Sequence, residues 1–338
     1  MLVETPRQQS EVTRAAVTRG LTMIDVTVLS RNDEALDICS FELVRADGAL
    51  LPPFTAGAHI DVHLPDGLIR QYSLCNAPNE RHRYLIGVLN DPASRGGSRS
   101  LHQQIKTGAQ LRISEPRNLF PLAENSRRTL LFAGGIGITP ILCMAEQLAL
   151  EAADFELHYC VRSAERGAFI ERLKHSAFAE RITLHFDEQP NTALNAAKVL
   201  ANPQPDTHLY VCGPGGFMQY ILDSARNAGW SEDTLHREYF SAEPVDTSND
   251  GSFSIEIAST GQVIAIPANK TVAQVLESHG IDIPLSCEQG VCGTCLTRVL
   301  KGIPDHRDLF LTEDEQALND QFTPCCSRSK TPVLVLDI

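Results

Sequence analysis

The tightest constraint on this chain is a set of cysteines near its carboxyl end. They read Cys287-x4-Cys292-x2-Cys295 inside CEQGVCGTC, followed after 29 residues by the pair Cys325-Cys326. A 2Fe–2S cluster needs four thiolates converging on two irons, and this spacing meets that need. The short loop wraps the cluster, its glycines let backbone N–H groups turn toward the sulfurs, and a distant fourth cysteine closes the cage. Zinc more often takes paired C-x2-C units, and four structural thiols are the bland alternative. Counting alone does not choose between Cys325 and Cys326.

The 338 residues allow roughly two to three domains. Lys and Arg number 29 against 42 Asp and Glu, a net charge of −13. Such a chain repels phosphate backbones, which excludes nucleic-acid binding and favours a basic protein partner. With 43% hydrophobic and 21% charged residues the composition is that of a globular protein. The longest apolar stretch, Thr129 to Ala145, is broken by Gly134, Gly135, Gly137 and Pro140. It falls short of the roughly 20 residues of a membrane span. The first 20 residues are polar, have no apolar signal region and are expected to be flexible. A soluble, cytoplasmic protein is expected. Ten cysteines in a compartment that disfavours disulfides point to metal or redox chemistry.

Three patterns follow one another along the chain. Residues 21–124 read as short β-rich segments (MIDVTVLSRN, LDICSFELVRA, HIDVHLPDG, IRQYSLCN, RYLIGVLN, AQLRISEP) separated by turn residues. They predict an antiparallel β-barrel interrupted by one helix, SRSLHQQI. Residues 125–240 alternate strand and helix. TLLFAGG, FELHYCV, ITLHFD and HLYVCG are the strands; TPILCMAEQLAL, AFIERLKHSAF, ALNAAKVLAN and GFMQYILDSARNAG are the helices. They predict a doubly wound α/β domain with a parallel sheet. Residues 241–251 have linker composition. Residues 252–338, with a hairpin, a helix, the cysteine cluster and a closing strand, predict an α+β (β-grasp) domain.

Two glycine-rich turns fall at strand ends in the α/β segment. Gly134, Gly135 and Gly137 lie between TLLFA and a helix, and Cys212-Gly213-Pro214-Gly215 follows HLYV. Glycine lets backbone approach a pyrophosphate, and the helix N-terminus adds N–H donors and a positive dipole. Either turn alone is weak; both in one doubly wound unit define a dinucleotide crevice. In the barrel segment, Arg70-Gln71-Tyr72-Ser73 lies on a strand. Arg70 can neutralise a phosphate, Tyr72 can cover a flat ring and Ser73 can hydrogen-bond a ring nitrogen. Alternation puts Arg70 and Tyr72 on one face and Ser73 on the other unless the strand ends there. Arg95-Gly96-Gly97-Ser98, ahead of SRSLHQQI, is a second anion-cradle candidate.

In this order the motifs resemble the phthalate dioxygenase reductase and vanillate O-demethylase reductase family, from about residue 22 onward. RQYSLCN is similar to its flavin signature, AGGIGITPIL and CGP to its pyridine-nucleotide signatures, and CEQGVCGTC to its ferredoxin signature. The resemblance implies FMN, NADH, a plant-type 2Fe–2S cluster and a Rieske-type terminal oxygenase as partner, the chain itself being a monomer. It implies that Arg70, Tyr72 and Ser73 hold the flavin, with Ser73 near its N5, and that Gly97 and Ser98 bind the FMN phosphate. Gly135, Gly137 and Thr139 would lie against the nicotinamide nucleotide, with Gly213 and Pro214 in the second turn and Cys212 near hydride transfer. Phe240 resembles the aromatic that covers the flavin. Cys287, Cys292, Cys295 and Cys325 would be the cluster ligands, since CCSRSK fits the ferredoxin pattern best with its first cysteine ligating. One departure is visible. After Arg162, Ser163-Ala164-Glu165 lacks the immediate acid of some relatives, which would read a ribose 2′-hydroxyl.

A flavin accepts an electron pair and releases single electrons, so the implied protein is a two-to-one electron converter. Reductases for other monooxygenases, such as those acting on quaternary amines, and an iron–sulfur redox sensor are the alternatives. Other features read as bland. Glu313-Asp314-Glu315 is the first turn of a helix with Thr312 as N-cap. His306-Arg307-Asp308 lacks every companion of a kinase motif. His59 and His63 alternate on one strand face.

Overall fold

The computed structural model describes residues 23–92, 94, 96–242 and 246–338. The segment expected to be flexible, residues 1–20, lies outside them. The chain forms two compact units, the first ending at Glu238 and the second being Tyr239–Ile338.

The first unit opens with seven strands: β1 (Met23–Ala35), β2 (Ile38–Arg45), β3 (Ala58–His63), β4 (Ile69–Ser73), β5 (Tyr84–Leu89), β6 (Gln110–Ser114) and β7 (Arg117–Asn118). They pair in the order β4-β3-β6-β1-β2-β5, with β7 on β3. The antiparallel bridge Leu74–Ile86 joins the two ends and closes the barrel. In β1 the alternation is plain, with Ile24, Val26 and Val28 inside and Asp25 and Leu29 outside. Helix α1 (Gly97–Gln104) follows β5.

The parallel sheet of the same unit consists of β8 (Arg128–Gly134), β9 (Phe155–Val161), β10 (Ile182–Phe186), β11 (Thr207–Cys212) and β12 (Leu235–Glu238). Its order, β10-β9-β8-β11-β12, steps outward in both directions from β8, the doubly wound arrangement. Helices α2 (Ile138–Leu150), α3 (Ile170–Lys174), α4 (Ala196–Leu200) and α5 (Gly215–Asn227) connect the strands. The periodic stretches before β10 and β11 predict longer helices than α3 and α4. Phe169, in the left-handed region at φ 59°, starts α3 late. Asn195 caps α4 from within its segment by accepting the Lys198 N–H at 3.0 Å. One hydrophobic core runs from barrel residues such as Phe41 and Ile86 to Leu131, Ile141 and Tyr159 around the parallel sheet. Each such side chain fully buried contributes about 1.5–3 kcal/mol relative to exposure.

The second unit has a mixed sheet, β14-β13-β19-β15-β17, built from β13 (Phe253–Ile257), β14 (Val263–Ile266), β15 (Thr297–Lys301), β17 (Gln321–Phe322) and β19 (Val333–Leu336). The two-residue strands β16 (Pro304–Asp305) and β18 (Arg328–Ser329) pair separately. Helix α6 (Val272–Ser278) starts with a Thr271–Gln274 capping box and packs Val272, Val275 and Leu276 on the sheet. Helix α7 (Glu313–Leu318) bears the expected acidic first turn, capped by Thr312 with Glu315. Barrel, doubly wound sheet and α+β unit make the chain multidomain, as its sequence implies. Among the described residues no helix is long and apolar enough to cross a membrane.

Candidate functional site

The barrel side of the site is β4 and the start of α1. A Cβ on Gly97 would stand 2.4 Å from Arg70 Cγ and 2.7 Å from its Nε, so only glycine lets the arginine cross there. No side chain caps α1. The guanidinium and the first N–H groups of the helix therefore converge, a pairing suited to a phosphate. Arg70 Nη1 donates to the Ile69 carbonyl at 2.7 Å, and Ser98 Oγ accepts the Asp91 N–H at 3.3 Å. Arg95 lies outside the described residues. Burial pushes the Tyr72 hydroxyl well above the usual phenol range, so the ring stays neutral.

β4 ends at Ser73, which is buried and donates its hydroxyl to Glu238 Oε2 at 3.3 Å. Glu238 ends β12, in register with Cys212 at the end of β11. Desolvation pushes the Glu238 carboxyl up to about 8, opposed by the Ser73 hydrogen bond. Burial, then the Glu238 charge, drives the Cys212 thiol far above the ordinary cysteine range. Cys212 is therefore a neutral thiol, not a thiolate nucleophile. Ser73 and Cys212 are brought together by a third residue, Glu238, that sequence reasoning did not find.

The two glycine turns touch. A Cβ on Gly137 would lie 2.2 Å from the Cys212 carbonyl oxygen and 2.7 Å from Gly213 N, so the turns pack backbone to backbone. Gly135 has φ 53° and open space where a Cβ would be. Neither α2, which follows Gly137, nor α5, which follows Pro214, has a side-chain cap. Both helices thus keep N–H donors free of side-chain partners beside bare backbone. Thr139 turns inward. Its hydroxyl donates to the Ile136 carbonyl at 3.0 Å and its methyl fills the space over Gly87 of β5. Phe240, the second residue of the second unit, is 42% exposed.

In the second unit Cys287, Cys292, Cys295 and Cys325 are all buried. The thiols act on one another electrostatically, Cys287 with Cys292 and Cys325, and Cys325 with Cys295, so the four sulfurs lie together. Gln289 N–H donates to Cys287 Sγ at 3.4 Å and Thr294 N–H to Cys292 Sγ at 3.5 Å. Positive φ at Glu288, Gly290 and Gly293 turns the loop so that it can present them. Cys326 Sγ instead lies with Thr323 and Ser327 and packs against Gly290, where an added Cβ would stand 2.5 Å from it. Four soft donors reached by N–H groups fit a 2Fe–2S cluster.

Residues 255–330 match the model of the 2Fe-2S iron-sulfur cluster binding domain. The chain is 73% identical over 317 residues to a vanillate O-demethylase oxidoreductase of Pseudomonas putida, covering 94% of this chain and 100% of that one. Among solved structures it resembles phthalate dioxygenase reductase, described as a modular structure for electron transfer from pyridine nucleotides to [2Fe-2S]. That match has a TM-score of 0.74 at 38% identity and covers 94% of this chain and 98% of the other. It also resembles the flavohem-like FAD/NAD binding domain of nitric oxide dioxygenase from Vibrio cholerae, with a TM-score of 0.57 at 26% identity, over 64% of this chain and 97% of that one.

Proposed function

The chain belongs to the family of vanillate O-demethylase oxidoreductases and phthalate dioxygenase reductases, and from that membership we propose that it is the reductase component of a vanillate O-demethylase. It is an electron-transfer oxidoreductase with flavin, NADH and 2Fe–2S cofactors. In this reading the flavin is FMN, the electron acceptor is a Rieske-type terminal oxygenase, and the reductase works as a cytoplasmic monomer. Flavin, when bound, would supply the conversion of the electron pair of NADH into the single electrons that a one-electron cluster requires.

The protein's own groups bind and orient. Arg70 and the α1 N-terminus, through Gly97 and Ser98, hold the FMN phosphate. Tyr72 walls the ring, and Ser73 presents its hydroxyl where Glu238 fixes it. Gly135, Gly137, Gly213 and Pro214 leave backbone open to the dinucleotide. Cys212, a buried neutral thiol at the end of β11, would help to position the nucleotide without exchanging a proton. Cys287, Cys292, Cys295 and Cys325 ligate the cluster.

One observation supports this most: the Ser73–Glu238 hydrogen bond at 3.3 Å. It brings the flavin strand of the barrel to the carboxyl ends of β11 and β12, where the nucleotide turns lie. The purified protein should show flavin and iron–sulfur absorption, reduce cytochrome c with NADH, and support vanillate demethylation with a vanillate O-demethylase oxygenase. A protein lacking both absorption bands after reconstitution, or coupling only to a different oxygenase, would overturn the reading.

A further inference from the structure

The triplet His306-Arg307-Asp308 lies where the segment joining the two units meets the cysteine site. Arg307 grips Asp250 bidentately, Nη1 to Oδ2 at 2.9 Å and Nη2 to Oδ1 at 2.6 Å, and Nε bonds Asp305 at 2.9 Å. Arg328, three residues after Cys325, places Nε 3.4 Å from Asp250 Oδ2. Its remaining N–H groups donate to the carbonyls of Gly251 at 2.9 Å and Lys270 at 3.0 Å. The Asp250 and Arg328 side chains are only 6% and 8% exposed. From Arg307 the connections continue. Its N–H donates to Ser327 Oγ at 3.1 Å, and that hydroxyl donates to Asp308 Oδ1 at 3.3 Å. Leu309 N–H donates to Gly290 O at 3.0 Å inside the cysteine loop. One carboxylate thus pairs with two arginines: Arg328, three residues past Cys325, and Arg307, two residues before the Leu309 contact with the cysteine loop.

We propose that Asp250 is a positioning residue of the iron–sulfur centre, fixing both the Cys325 turn and the Cys287–Cys295 loop to the end of the joining segment. The proposal rests on the electron-transfer reading above. Two effects of losing the carboxylate can be separated by size. Releasing the clamp would add residues 250–252 to the stretch 239–249 that precedes it, 14 residues in place of 11. Effective concentration falls as about the −3/2 power of length, so reach alone accounts for roughly 1.4-fold. Leaving the buried Arg328 without its carboxylate, and Arg307 with Asp305 alone, is the larger perturbation, and it acts on the centre itself. Removing a negative charge there also favours the added electron, so the midpoint potential rises.

The test is Asp250→Asn in the holoenzyme, beside an insertion of three residues between Ser248 and Asn249 that lengthens the chain and spares the clamp. Asp250→Asn should raise the cluster potential, speed hydrogen exchange over residues 287–295 and 323–329, and slow NADH-dependent cytochrome c reduction about fivefold or more. The insertion should leave potential and exchange unchanged and the rate within about twofold. Asp250→Glu should recover part of the loss. Iron lost from Asp250→Asn but kept by the insertion also supports the proposal. Wild-type potential and exchange in Asp250→Asn, or an insertion that reproduces its effects, overturns it. A wild type without NADH-dependent cytochrome c reduction sinks the functional reading instead, and hydrogen exchange still decides on Asp250.

Discussion

A carboxyl group held protonated near neutrality, as Glu238 is, gives stability a definite slope. Its folded value of about 8 lies above the ordinary carboxyl value near 4.3. The native state therefore binds the extra proton between those values, and stability falls as pH rises through that window. Glu238→Gln keeps a partner for Ser73 and removes the ionisation. Thermal unfolding of the variant should vary less between pH 5 and 8, and its hydride step should lose a dependence centred near 8. An unchanged slope would show that the carboxyl is not protonated there. Gly137→Ala offers a second check, because its methyl would meet the Cys212 carbonyl at 2.2 Å. Overpacking of that kind costs about 1–3 kcal/mol. The variant should unfold earlier and bind NADH more weakly while the spectrum of its iron–sulfur cluster stays intact. Residue identity at this site was legible only in part. Ser73 and Cys212 stand in motifs, whereas Glu238 ends the short strand LHRE two residues before Phe240, and no motif singles out the carboxylate itself. Its partner is 165 residues away. The register of β11 and β12 is what makes it visible.

At the scale of elements, the parallel strands were readable because TLLFAG and FELHYCV are near-continuous apolar runs, as strands covered on both faces must be. Helix lengths were not, because the Asn195 cap and the left-handed Phe169 act locally, inside stretches whose periodicity runs on. Neighbouring strands also carry two histidine pairs that no motif announces. His158 Nδ1 lies 3.0 Å from His185 Nε2 across β9 and β10, and His208 Nδ1 lies 2.9 Å from His236 Nε2 across β11 and β12. His185 Nδ1 donates to the Thr192 carbonyl, so its Nε2 must accept, and a second proton would set two donors face to face. Burial, then the partner histidine, lowers His158 and His236 to about 4, with Glu156 and Asp233 opposing. The unfolded state binds more protons between about 4 and 6.5, so stability should fall as pH drops through that range. His236→Phe keeps the stack on Tyr210, now 4.4 Å between centroids. It should remove up to about 1.4 kcal/mol per pH unit from the acid limb. Equal acid limbs for the variant and the parent would rule the pair out as a cause.

Across the whole molecule, composition shifts marked three sheets, yet packing makes two units, because the barrel and the parallel sheet share one apolar core. A change of periodicity reports a change of topology; whether two sheets bury a common core depends on surfaces that meet only after folding. Charge, by contrast, is legible at once. Residues 251–338 hold 6 Lys and Arg against 11 Asp and Glu, or −5, and a ferric cluster on four thiolates adds about −2. The acidic first turn of α7 displays three of those carboxylates in the unit that holds the cluster. Negative charge therefore gathers on the module that must meet an electron acceptor, and an acceptor with a basic face is steered toward it. Steering of this kind weakens with salt, since the Debye length shrinks from about 10 Å at 0.1 M to about 3 Å at 1 M. Coupled turnover at limiting oxygenase should drop roughly tenfold or more across that range. NADH-dependent ferricyanide reduction, which needs no macromolecular partner, should change far less over the same salt series. If coupled turnover stays flat while the ferricyanide rate does too, docking is governed by apolar contact and the acidic surface has no part in it.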